Sequence, residues 1–173
     1  MDFDSCFDRV FINEGGYQAM RGDRGNWTGG RVGVGELKGT KFGISAMSYP
    51  DVDIFNLTRE QAKEIYYYDF WLLFDIDLMP SPIRFQLFDA AVNHGWNNTA
   101  KILQRALSVP VDGIVGPLTY NAAKTINAHT LQLKFIAERI KFFTKIKTFD
   151  EFGKGWMIRM THNLHYAATD NGE

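Results

Sequence analysis

Ten of the sixteen glycines in this 173-residue chain fall between residues 15 and 43. Glycine costs a helix interior about 0.8–1.0 kcal/mol per residue relative to alanine. The stretch therefore has little helix potential and reads as loops and short hairpins. Arg31–Gly35 and Lys41–Ile44 are the pieces that can extend, so a small β-sheet is expected there.

Everything around this region is patterned for helix. Before it, Phe3, Phe7, Val10 and Phe11 follow helical spacing, with Asp4 or Ser5 as the cap and Gly15-Gly16 as the stop after Glu14. After it, Thr58 with Gln61 forms a capping-box signature for a helix running to about Trp71. Ser81-Pro82 starts a helix that should stop at Gly95, and Asn98 opens another to about Leu107. Asp112-Gly113 makes a turn, and Pro117 occupies the first position of the next helix. Two more helices are expected, from about Thr130 to Ile146 and from about Lys154 to Tyr166. The fold class is α+β and mostly α: a small Gly-rich, β-bearing lobe over residues 1–84 and a helical lobe over 85–173, packed as one compact unit.

Composition narrows the function classes. The chain is 45% hydrophobic and 23% charged, an ordinary folded profile. Its longest apolar run, Phe70–Phe74, is far too short to span a bilayer. Asp2, Asp4 and Asp8 do not make the basic start of a secretory signal. The single cysteine, Cys6, forms no internal disulfide, suits a reducing compartment, and reads as a small buried hydrophobe. A net charge of −1 provides no global field for nucleic acid. Residues 134–159 nevertheless carry +4 and the remainder −5. That basic stretch, with Leu133, Ile136, Ile140 and Phe143 along one side, either touches anionic wall or membrane or is a core helix with a solvated basic face.

Glu14 is the most informative residue. It stands at the predicted C-terminus of the first helix, where the helix dipole is negative, after Val10-Phe11-Ile12 and before two glycines. Dipole and desolvation both favour its neutral form. A glycosidase acid needs this property in order to protonate a leaving oxygen near neutral pH. Glycoside hydrolysis usually adds a second polar group across the sugar. Asp23, nine residues on, is a candidate for that role or an ordinary loop aspartate; Thr28 and Thr40 are hydroxyl candidates for holding a water.

These residues resemble a known family. Glu14-Gly-Gly-Tyr17, Asp23 and Gly39-Thr-Lys-Phe-Gly-Ile-Ser45 are similar to the N-terminal signature of glycoside hydrolase family 108, muramidases found largely among phage endolysins. Phe88-Asp-Ala-Ala-Val-Asn-His-Gly95 resembles the family's core helix. Leu103-Gln104 and Val111–Thr119 resemble its peptidoglycan-binding segment, and Phe152–Arg159 its terminal helix. The resemblance implies a lysozyme-like fold and hydrolysis of the β-1,4 bond between N-acetylmuramic acid and N-acetylglucosamine. It makes Glu14 the acid and Asp23 the group that handles water or oxocarbenium charge, with a threonine assisting. Thr40 is favoured because it stands two residues before Phe42-Gly-Ile; Thr28 is the alternative. The chain departs from the family in extra residues around Gly29–Gly39.

Other candidates carry a bland reading beside the functional one. Tyr17 and Trp27 can stack on sugar faces. Asn93 and His94, at a helix end, line a saccharide groove or simply bond their own carbonyls. The four histidines show no metal-ligand arrangement, so no metal or cofactor is expected. The expected partner is bacterial peptidoglycan. The endolysin reading implies a monomer made in the host bacterial cytoplasm that reaches the wall with the help of a holin. The competing readings are a lytic transglycosylase and a non-catalytic peptidoglycan-binding module.

Overall fold

The computed structural model describes residues 1–12 and 15–170. The chain divides into two compact units: Phe7–Asp69, and Met1–Cys6 together with the chain from Phe70 onward. The architecture is α+β and mostly helical, as expected, with one small sheet.

Helix α1, Phe3–Phe11, begins before either Asp4 or Ser5, so neither is its cap. Asp2 serves instead, its Oδ1 accepting the Ser5 N–H at 3.0 Å. That bond holds the Asp2 carboxyl below its ordinary value.

In the Phe7–Asp69 unit the glycine-rich stretch forms only one ladder. Strands β1 (Thr40–Lys41) and β2 (Ile44–Ser45) pair antiparallel, Thr40 opposite Ser45 and Lys41 opposite Ile44. Of the expected extended piece Lys41–Ile44, the two end residues are strand and Phe42-Gly43 is the hairpin turn. Phe42 and Gly43 both have positive φ, 53° and 74°, as a tight two-residue connection demands. The other expected strand, Arg31–Gly35, is also absent. Gly29 N–H bonds Val34 O at 3.1 Å and Val34 N–H bonds Arg31 O at 3.1 Å, closing the segment into a loop. Helix α2, Arg59–Tyr66, starts with the anticipated capping box: Thr58 Oγ1 accepts from Gln61 N–H, and Gln61 Oε1 from Thr58 N–H. It continues to Leu72 in a wider π-type winding. Phe7, Val10, Ile44, Ile54, Leu57 and Tyr66 are buried and form this unit's core. The Phe7 ring lies 5.6 Å from Tyr66, and the Tyr66 hydroxyl donates to Phe42 O at 3.0 Å.

The other unit is built from α3 (Ser81–His94), α4 (Trp96–Leu107), α5 (Pro117–Thr125), α6 (Ala128–Phe143) and α7 (Phe149–Thr169). Helix α3 ends at Gly95 as expected. Asn127 caps α6 by accepting the Thr130 N–H at 3.0 Å. Helix α7 begins five residues before the anticipated Lys154 and has Gly153 buried against the Phe149 ring. Ile83, Leu87, Ile102, Leu103, Leu131 and Phe135 make the main core; Ile136, Phe143 and Met160 extend it.

A buried charge ties three of these helices together. Asp89 of α3 accepts from Arg139 Nη1 of α6 at 2.8 Å, Arg159 Nη2 of α7 at 2.6 Å and Asn163 Nδ2 at 3.0 Å. Burial alone would raise the Asp89 pKa, but the two guanidinium groups overcome it and hold it at about 2. Arg139 is fully buried, so part of the basic stretch read from the sequence faces the core; Lys134, Lys141, Lys145 and Lys147 remain exposed. Leu133, expected on the apolar side, is 43% exposed, while Leu131 and Phe135 are buried.

Candidate active site

Glu14 lies outside the described residues. The residues that follow it are described. Gly15 O accepts the Phe42 N–H at 3.1 Å, and Gln18 and Thr40 exchange both backbone hydrogen bonds, at 2.9 and 2.8 Å. The segment after the Glu-Gly-Gly motif therefore runs along β1 and delivers Tyr17 and Gln18 beside Thr40.

Asp23 and Thr40 meet through a residue that the sequence reading passed over. Asn26 is fully buried. Its Oδ1 accepts the Thr40 hydroxyl at 2.7 Å, and its Nδ2 donates to Met20 O at 3.0 Å and Gln18 Oε1 at 3.2 Å. Its carbonyl accepts the N–H groups of Lys38 and Gly39, both at 3.1 Å. Its own N–H bonds Asp23 O at 3.2 Å. Asp23 caps the short 3₁₀ turn Arg24–Asn26, its Oδ1 accepting the Gly25 N–H at 2.8 Å. Among the described residues its Oδ2 has no hydrogen-bond partner. The carboxylate is thus half-buried and fixed by one oxygen, and the nearby threonine hydroxyl is oriented by a buried amide. A lone asparagine amid glycines and the segment's lack of helix potential were the only sequence signals for Asn26.

Thr28 has another task. Its Oγ1 accepts the Glu36 N–H at 2.9 Å and, with Thr28 N–H to Glu36 O at 3.0 Å, closes the neck of the Thr28–Glu36 loop. Tyr17 is 39% exposed, its ring 5.0 Å from and edge-on to Phe55, which is 62% exposed and was not a sequence candidate. Trp27 is half-buried, its indole N–H committed to Arg21 O at 2.9 Å.

Asn93 and His94 belong to the helical unit, apart from these residues in the chain's division. The His94 ring packs 5.1 Å from Phe142 and 5.3 Å from Phe143, and its Nδ1 lies 3.0 Å from Asn93 Oδ1. Burial, and then the Arg139 charge, push its pKa down to about 3, so the ring is neutral. The His94 carbonyl accepts from Asn98 Nδ2 at 2.8 Å. Among the described residues no group of three His, Cys, Asp or Glu side chains is placed to hold a metal ion.

The family described as glycosyl hydrolase 108 matches residues 7–95, and one described as a predicted peptidoglycan domain matches residues 98–161. No curated protein matches the chain. A solved structure of Brucella abortus SagA is 24% identical, covers 99% of this chain and 96% of its own, and superposes with a TM-score of 0.81, which shows a shared fold. The first family covers more than half of the sequence, and the mostly helical chain with its small two-stranded sheet is consistent with a lysozyme-like α+β fold. The chain belongs to the glycosyl hydrolase 108 family and is a glycoside hydrolase that acts on peptidoglycan.

Proposed function

We propose that the protein is an N-acetylmuramidase that hydrolyses the β-1,4 bond between N-acetylmuramic acid and N-acetylglucosamine. Glu14 donates a proton to the bridging oxygen as the C1–O bond breaks and the electron pair passes to the leaving sugar. Asp23 accepts a proton from the water that adds to C1, or balances the oxocarbenium charge before it does. Thr40 steadies that water. Tyr17 and Trp27 contact the sugars. The observation that carries this reading is the shared anchor at Asn26, which joins the Asp23 turn to the Thr40 hydroxyl beside the segment that follows Glu14. It supports Thr40 over Thr28, whose hydroxyl oxygen is occupied in its own loop.

The deciding experiment is digestion of purified peptidoglycan with mass analysis of the products. Hydrolysis leaves reducing ends; a lytic transglycosylase leaves anhydro-sugar ends; a binding module leaves no soluble sugar. Glu14→Gln is expected to lower kcat by roughly 10²–10⁴-fold. Wild-type turnover by that variant would remove Glu14 from the mechanism. The role as a phage endolysin, produced in the host cytoplasm and released by a holin as a monomer, rests on the sequence resemblance alone. Contact of the exposed lysines of α6 and the segment after it with anionic wall polymer belongs to the same reading.

A further inference from the structure

Among the described residues, three other than glycine have a positive φ: Phe42 at 53°, Asp75 at 48° and Ser108 at 58°. Asp75 precedes a short 3₁₀ turn and Ser108 closes α4, where small polar residues tolerate the left-handed region. Phe42 is different. A bulky side chain is an outlier there. The first central position of a two-residue hairpin connection favours asparagine, aspartate or glycine. Phenylalanine at 42 is therefore locally unfavourable, and what its ring touches must account for it.

Phe42 reaches the chain on both sides of Glu14. Its ring centroid lies 4.8 Å from that of Phe11, three residues before Glu14. Its N–H donates to Gly15 O at 3.1 Å, one residue after. Any residue at 42 could make the second contact; only a ring makes the first. Both partners are braced by α2. The buried Tyr66 donates its hydroxyl to Phe42 O at 3.0 Å. Arg59, the first residue of α2, pairs with Asp8 and sets its guanidinium 5.2 Å from the Phe7 ring and 5.1 Å from the Phe11 ring. A short segment held at both ends by one supported residue has little freedom between them.

We propose that Phe42 is a positioning residue for the acid: it clamps the chain before and after Glu14 and so limits where the proton donor can stand relative to the glycosidic oxygen. This rests on the assignment of Glu14 made above and adds the residue that holds it in place. A misplacement of about 1 Å at a reacting group costs roughly 10²-fold in rate. The clamp acts on the chemical step, so its loss is felt in kcat and not in KM.

Phe42→Asn separates the clamp from the turn. Asparagine accepts the left-handed conformation, so the hairpin and the bond to Gly15 are kept while the ring is lost. With folding checked by circular dichroism and thermal melting, kcat on purified peptidoglycan is expected to fall roughly 10–100-fold and KM to stay within about twofold. Phe42→Tyr keeps the ring and is expected to recover most of that rate. Phe11→Leu removes the facing ring from the helix side and is expected to lower kcat in the same way, which keeps the test decisive if Phe42→Asn does not fold. Placed in the Glu14→Gln background, Phe42→Asn is expected to leave the residual rate unchanged, because the group it acts through is gone. A folded Phe42→Asn with wild-type kcat overturns the proposal. So does a change in KM alone, or an equal fold-loss with and without Glu14. Wild-type turnover by Glu14→Gln would remove the acid itself, and the clamp with it; an inactive Glu14→Gln beside a fully active Phe42→Asn would remove the clamp alone.

Discussion

The Thr40 hydroxyl donates to Oδ1 of the fully buried Asn26 at 2.7 Å, and through it the hairpin strand is fastened to the turn that carries Asp23. Replacing Asn26 with alanine leaves Met20 O and the Thr40 hydroxyl without this partner. The expected cost is about 2–3 kcal/mol, read as a lowered denaturant midpoint. Activity of the folded fraction should fall as well, because both site residues lose their common support.

The two threonines can be separated by the same substitution. Thr40→Val removes a hydroxyl bonded to Asn26; Thr28→Val removes an acceptor used only at the loop neck. Each is expected to cost about 1 kcal/mol of stability. Only the Thr40 variant should lower kcat on peptidoglycan; an equal loss in both would return Thr28 to candidacy.

Gly39 stands at φ +84°, and a Cβ there would lie 2.5 Å from Gln18 O and 2.8 Å from the Tyr17 ring. Because the first obstacle is backbone, Gly39→Ala forces the Gln18–Thr40 pairing apart. A loss of about 2 kcal/mol or more is expected in chemical denaturation. Gly33→Ala is the control: its φ is +79° but nothing lies within 4 Å, so strain alone should cost about 1 kcal/mol.

Acid should loosen the helical unit in two stages. The folded His94 pKa is depressed from 6.5 to about 3, so the unfolded chain takes up a proton that the folded chain refuses, and stability declines as pH falls through that interval. The folded Asp89 pKa is about 2 against 3.8, so its contribution is present above pH 3.8 and is lost as pH falls toward 2. Thermal melts across pH should show His94→Leu flattening the upper part of the profile. Asp89→Asn should cost about 3–5 kcal/mol at neutral pH by leaving buried Arg139 without its counter-charge.

His94→Leu also tests an expectation from the sequence. With its ring packed near Phe142 and Phe143, the variant should bind peptidoglycan as tightly as the wild type. Weakened binding by a fully folded variant would restore the histidine to the saccharide surface.

Local chemistry was readable where it acts over three or four residues. Thr58 with Gln61 and the Gly95 stop each set a helix end within one turn of chain, and both appear where the sequence places them. Phe42-Gly43 was misread because alternating apolar residues look alike in a strand and in a hairpin turn; positive φ at both positions decides it. Helix α7 outran its glycines because Gly153 is buried against Phe149, and tertiary packing outweighs intrinsic propensity. Asn26 escaped notice because its partners lie eight and fourteen residues away, beyond any window in which periodicity is informative.

The loop from Thr28 to Glu36 seals its own base with bonds among its own residues, while Arg31, Val32 and Gly33 at the far end are exposed. Such a segment behaves as an exchangeable cassette. Its outer residues are expected to tolerate rewriting or lengthening while the Thr28–Glu36 neck stays closed, which makes the loop a place to graft new sequence one segment at a time.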